Sequence, residues 1–229
     1  MVYSVKHMLL GSALALSLAI SPLSAQPPHE WDGLVRVKAK HMDAVYLLPQ
    51  ADFTGYTKVM LDPTEVAFRK DWQRDTSTVT KRISDEDARR ILESARTGFE
   101  EIFRKAYVDA GYQVVTTAGP DVLRIETAVI NLDVQAPDIM TAGRSVTFSS
   151  EAGSATLAIE ARDSVSGALL GRAVDEKVMG DLRPYLRNSV TNSAEFEEAF
   201  SAWAKRSAAG LGELKALSPI DANGKLAKH

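Results

Sequence analysis

Residues 84–110 read SDEDARRILESARTGFEEIFRKAYVDA, and this stretch decides the fold class. Ser84 has the chemistry of a helix N-cap, because its hydroxyl can accept from a backbone N–H that the first turn leaves unpaired. Asp85, Glu86 and Asp87 follow where the helix dipole favours negative charge. Apolar residues then recur at Ala88, Ile91, Leu92, Ala95, Phe99, Ile102, Phe103, Ala106 and Tyr107. That 3.6-residue period predicts a helix lying along a core. Gly111 stands where a left-handed C-cap belongs.

Strand patterns flank the helix on both sides. Downstream, Tyr112–Thr116 is a short run and Val122–Val134 a long one, ended by Pro137. The long run carries Leu123, Ile125, Thr127 and Val129 on one face. Its other face begins charged at Arg124 and Glu126 and turns apolar at Ala128, Ile130, Leu132 and Val134, a switch that predicts a bulge or a covered far end. Ser145–Ser149 and Ser154–Arg162 follow, separated by the turn-like residues 150–153. Asp163–Gly167 is turn chemistry, and Ala168–Val178 returns as the partner strand. After an irregular stretch over 179–191, Asn192 with Glu195 three residues on predicts the cap of a last helix. Phe196, Phe200, Trp203, Ala204, Ala208 and Leu211 form its stripe, and Gly210 and Gly212 weaken its end.

Upstream, Leu34–Ala39, Ala44–Leu48 and Gly55–Leu61 are β-prone. Asp62-Pro63 closes the third run, Thr64–Arg69 resumes β-like, and the polar Lys70–Lys81 reads as a loop. The order β-β-β, helix, β-β-β-β, helix predicts one α+β domain over 34–214, an antiparallel or mixed sheet backed by two helices. Residues 26–33 are expected to be an N-terminal arm and 215–229 a flexible tail.

The segment YTKVMLDP at 56–63, the helix at 84–110, GPDVLRIETAVI at 119–130, LAIEARDSVSGALLGRAVD at 157–175 and the last helix together carry a resemblance. Over about residues 30–214 the chain resembles the exported bacterial family labelled domain of unknown function 3313. The resemblance implies an exported envelope protein and brings no catalytic residue with it. Many members of that family look like lipoproteins, whereas this chain has no Cys to carry a lipid.

The first 25 residues read as a secretory signal peptide, independently of the resemblance. Lys6 supplies the positive end, Met8–Ile20 is an apolar run of about thirteen residues, and Leu23-Ser24-Ala25 offers a cleavage site. A membrane span needs roughly 20 apolar residues, and no other stretch approaches that length. The expected product is a periplasmic or secreted protein with neither a membrane span nor a lipid anchor. Its formal net charge of −3 over the full chain argues against a dominant phosphate-binding surface, so nucleic acid is not an expected partner. With 45% hydrophobic residues the composition is that of a globular protein. Zero Cys excludes disulfides, thiolate metal sites and a Cys nucleophile.

Catalytic motifs are scarce. Beyond the leader only His29, His41 and His229 remain, without metal-ligand spacing, so neither a metal nor a cofactor is expected. No G-x-S-x-G elbow and no phosphate loop occurs. Asp62, Glu65, Asp175 and Glu176 are the candidates for paired carboxylates, with a turn-forming Asp62 and a solvated edge at Asp175-Glu176 as the plainer readings. Arg69, Trp72 and Arg74 place an aromatic among cations that could stack a base or sugar, although Asp71 and Asp75 dilute the field. Trp31 and Trp72 sit in polar context, as interface anchors or as covers for a sheet end. Three readings follow. The first is a non-enzymatic envelope module binding another envelope protein or a cell-wall component, with Trp31, Asp62, Arg69, Trp72 and Arg74 as candidate contacts. The second is a cell-wall hydrolase or transferase using carboxylates, and the third a carrier with a pocket between sheet and helices.

Overall fold

The computed structural model describes residues 28–77, 82–135, 147–149, 153–180, 185–187 and 189–221. The expected signal peptide at 1–25, Pro137, the turn residues 150–152 and the tail from 222 onward lie outside them. The elements are β1 (Glu30–Trp31), β2 (Leu34–Val37), β3 (Ala44–Leu47), β4 (Lys58–Leu61), β5 (Glu65–Phe68), α1 (Trp72–Thr76) and α2 (Asp85–Asp109). They continue with β6 (Gln113–Val115), β7 (Val122–Val134), β8 (Thr147–Ser149), β9 (Gly153–Asp163), β10 (Leu169–Met179), β11 (Tyr185–Arg187) and α3 (Ser189–Leu217).

One mixed sheet runs in the order β1-β2-β3-β10-β9-β7-β4-β6. Its long antiparallel centre is β7-β9-β10, and the β9–β10 hairpin closes through the turn over 163–167. Asp163 holds that turn by accepting from the backbone N–H groups of Val165 and Ser166. Both β4 and β5 run parallel to β7 on the same edge, Lys58–Leu61 beside Val122–Ile125 and Glu65–Phe68 beside Ala128–Leu132. Asp62-Pro63-Thr64 separates them, because Pro63 has no N–H to give the ladder. Strands β8 and β11 form a separate two-stranded pair.

Helix α2 begins as its sequence predicts. Ser84 Oγ accepts from Asp87 N at 3.1 Å and the Asp87 carboxylate accepts in return from Ser84 N, a capping box. The apolar switch in β7 is a bulge. Leu123, Ile125, Thr127 and Val129 are buried, then the exposed Asn131 adopts φ 53° and Leu132 is buried again. The register against β9 shifts between Ile130 and Asp133. One extra residue thus moves the apolar set from odd to even positions while keeping it on the face that the helices cover.

Three expectations need correcting. The polar stretch 70–81 contains α1, and Trp72 is 1% exposed, stacked on Phe68 at 3.8 Å between ring centroids. It seals the core where β7 ends, its indole N–H donating to the Val134 carbonyl. The last helix starts at Ser189, so Asn192 lies inside it, and it runs through Gly210 and Gly212 to Leu217. Order also extends past 214, because Ile220, 2% exposed, joins the core and exchanges backbone hydrogen bonds with Gln50 and Ala51. The buried Ile220 side chain ties down the segment that follows α3.

Candidate functional site

The two faces of the sheet differ in chemistry. On the face away from the helices, β-alternation aligns charges across strands. Arg124 pairs with Asp62 at 2.5 Å and with Glu126 at 3.3 Å, and Arg162 contacts Glu126 at 3.2 Å and also Glu160. Arg172 then meets Glu160 at 2.5 Å and Asp32 at 2.9 Å. Seven side chains of alternating sign cross the sheet. The guanidinium of Arg172 also lies 4.0 Å above the ring of half-buried Trp31, which meets Tyr46 edge-on. Asp62 and Trp31 therefore mark opposite ends of one row.

The basic stretch is not an open stacking platform. Arg69 bonds Asp133 at 2.5 Å and Asp75 at 2.8 Å, and Arg74 pairs with Asp71 and Asp75. The acids that dilute the field in sequence occupy both arginines, and the Trp72 ring between them is buried.

The candidate carboxylates do not converge. Asp175 is 7% exposed rather than on a solvated edge, because β10 lies inside the sheet between β3 and β9. Its side chain faces α3 and accepts from Trp203 Nε1 at 2.7 Å and from Asp43 N at 3.1 Å, with Arg206 Nη1 at 3.6 Å. Glu176, one residue on, points to the opposite face and is exposed. Glu65 stands on that same face but three strands away, about 14 Å at a strand spacing of about 4.8 Å. Glycosidic acid–base pairs stand about 5–9.5 Å apart. His29 and His41 are exposed. Among the described residues no three His, Asp or Glu side chains are grouped as metal ligands.

The helix-covered face holds a cleft of about 890 Å³ between β2, β3, β7, β9 and β10 and the C-terminal half of α3. Val37, Val45, Leu47, Ile125 and Ile159 line its floor, and Leu211, Leu214 and Leu217 its helical wall. It is hollow because small residues stand where larger ones would fill it: Ala161 and Ala173 on the sheet, Ala209, Gly210 and Ala216 on the helix. A Cβ at Gly171 would lie 3.0 Å from Leu47 Cδ2, whereas one at Gly210 meets nothing within 4 Å. Lys38 and Lys40 from the β2–β3 loop and Lys205 and Arg206 from α3 bring cations to the lining beside His41, against the single acid Glu213.

Helix α3 is pinned on either side of this span. Trp203 holds Asp175 and Arg206 Nη1 donates to the His41 carbonyl at 3.2 Å. At the other end Lys215 Nζ donates to the Tyr56 carbonyl at 2.9 Å and Ser218 Oγ accepts from Phe53 N at 2.9 Å. Tyr107 of α2 reaches across to Ser207 at 2.8 Å. Burial pushes its hydroxyl up to about 12, so it is a neutral partner at ordinary pH. A pocket between sheet and helices is among the sequence readings, but no residue is assigned to its lining there. The signal present in the sequence is the cluster of Ala and Gly from Ala208 to Gly212 within an otherwise regular stripe.

A model of the family described as protein of unknown function (DUF3313) matches residues 26–207. The chain belongs to that family. The matched segment includes the cleft floor and the cationic loop and ends before Ala208–Leu217, the part of α3 that walls the cleft. No curated protein matches. Among solved structures, the chain is similar to protein XCC0632 from Xanthomonas campestris, a DUF330 protein, at 12% identity over 73% of this chain and 90% of that one, TM-score 0.41. It is also similar to the PelC dodecamer from Paraburkholderia phytofirmans at 12% identity over 69% and 96%, TM-score 0.32. A third is the putative neuraminyllactose-binding hemagglutinin homolog from Helicobacter pylori, at 13% identity over 74% and 95%, TM-score 0.31. None of these likenesses bears on how the present chain works. Among the described residues no helix is long and apolar enough to cross a membrane.

Proposed function

We propose that this chain is a non-enzymatic binding protein of the bacterial cell envelope that holds its ligand in the cleft beneath α3. The observation that carries the reading is the cleft itself: about 890 Å³ with a predominantly apolar lining and a few convergent polar groups, the usual character of a ligand site. A close-packed interior leaves few voids larger than a water molecule. Pinning α3 on both sides holds such a space open without a ligand. The leader over 1–25 supports export, and the dispersal of Glu65, Asp175 and Glu176 favours binding over carboxylate catalysis.

Native mass spectrometry of the chain recovered from an envelope fraction tests the proposal. The expected result is a retained adduct that Gly210→Leu abolishes while the melting temperature holds. An adduct-free protein from native extracts, with cell-wall turnover lost on Asp62→Asn or Glu65→Gln, would support the hydrolytic reading instead. N-terminal sequencing of the same sample is expected to begin near Gln26, and a start at Met1 would remove the envelope from the proposal.

A further inference from the structure

We infer that the ligand of this cleft is a single-chain amphiphile with an anionic head, its tail along the floor and its head among the lysines; the inference rests on the cleft being a ligand site. Two observations point to it. The lining changes character along α3. Near Lys205 and Arg206 the cleft is bordered by Lys38, Lys40 and His41, while toward Leu217 it is walled by Leu211, Leu214 and Phe53, with the one lining acid, Glu213, on that side and away from the lysines. Between Lys205 and Leu217 a helix rises about 18 Å, comparable with an extended fourteen-carbon chain.

The second observation is charge. Arg206 is engaged with the His41 carbonyl and stands beside Asp175. Lys38, Lys40 and Lys205 are exposed and, among the described residues, have no ion-pair or hydrogen-bond partner. On a chain carrying net −3, three unpartnered lysines at one end of an apolar cleft form a local positive field. An anionic head satisfies it, and a neutral or cationic head does not. The volume lies within the roughly 300–1,000 Å³ of sites that take one small molecule, so one acyl chain is the occupant. Carboxylate, sulfate and monophosphate heads share this chemistry, and a carboxylate serves as the probe.

The test titrates the lipid-stripped full chain with myristate, 1-tetradecanol and tetradecyltrimethylammonium below their micellar concentrations, by calorimetry at low salt. Myristate is expected to bind about tenfold more tightly than the alcohol, since only the carboxylate pairs with the exposed lysines. That preference should shrink in a Lys38→Gln, Lys40→Gln, Lys205→Gln variant and with added salt. Gly210→Leu, whose side chain enters open space, should weaken all binding without lowering the melting temperature. Equal affinity for myristate and tetradecanol overturns the anionic head and leaves the cleft as a ligand site. Tighter binding of the ammonium does the same. No binding of any probe to the folded chain overturns the head and the cleft together. Cosedimentation with phosphatidylglycerol vesicles that persists in Gly210→Leu also overturns the inference, because the lysines would then serve a membrane surface.

Discussion

Helices α2 and α3 lie on the same face of one sheet and meet it differently. The inward stripe of α2 ends in Phe99, Phe103 and Tyr107, all buried, with Phe99 stacked on Phe103 at 4.5 Å and edge-on to Phe200 at 5.2 Å. The stripe of α3 is equally bulky as far as Trp203; beyond it Ala204 and Ala208 still pack in the core, while Ala209, Gly210 and Ala216 border the cleft. Where aromatics face the sheet, the interior is solid; where small residues face it, a cleft remains. The same architecture thus provides core and site through side-chain volume alone. Over the cleft the helix is in the core on one side only, through Ala204, Ala208 and Leu211, so the contacts at the two ends of the span hold its open side.

Four substitutions break or sharpen this contrast. Phe99→Ala carves a void in the solid half and is expected to lower stability by about 3–5 kcal/mol in urea denaturation. Leu214→Ala, beside space that is already empty, should cost clearly less, and equal losses would erase the distinction. Asp175→Leu strips the acceptor from buried Trp203 Nε1 and from Asp43 N. It should cost about 1–3 kcal/mol by the same measurement, with Asp175→Asn milder because it keeps an acceptor oxygen.

Tyr107 sits at the seam between the two halves. Burial pushes its hydroxyl from 10.0 up to about 12, so the folded state favours the protonated phenol. Its contribution is complete below pH 10 and fades as pH rises toward 12. Tyr56, raised to about 12 first by burial and then by the Asp163 carboxylate that accepts its hydroxyl, acts in the same direction. Thermal melts at alkaline pH should therefore fall over that interval and fall less steeply in Tyr107→Phe. The smallest effect has the opposite sign. Gly210→Ala adds a methyl in open space within a helix and should stabilise by about 0.5–1 kcal/mol. A loss there would mean that the helix tolerates no side chain over the cleft.

What the sequence reveals is local. Ser84 and Asp87 are three residues apart, so their capping box follows from spacing. The bulge at Asn131 follows from the parity of apolar residues in one strand. The hidden features are non-local. Burial of Asp175 depends on Trp203, 28 positions away, and Trp72 is core because β7 ends against it, although its neighbours in sequence are charged. Ile220 finds its place through the backbone of Gln50 and Ala51. The cleft is hardest to read, because it consists of missing volume gathered from β2, β3, β7, β9, β10 and α3. A one-dimensional pattern registers apolar residues and does not register where their bulk fails to meet.

The row of alternating charge from Asp62 to Asp32 bears on how copies of the protein behave when crowded. A sheet left without a helical cover ordinarily tempts another sheet to stack on it. Here any neighbour approaching face-on would have to dry out already matched guanidinium–carboxylate pairs and would gain little oil for the effort. This side of the sheet is thereby kept unsociable without a strong net field.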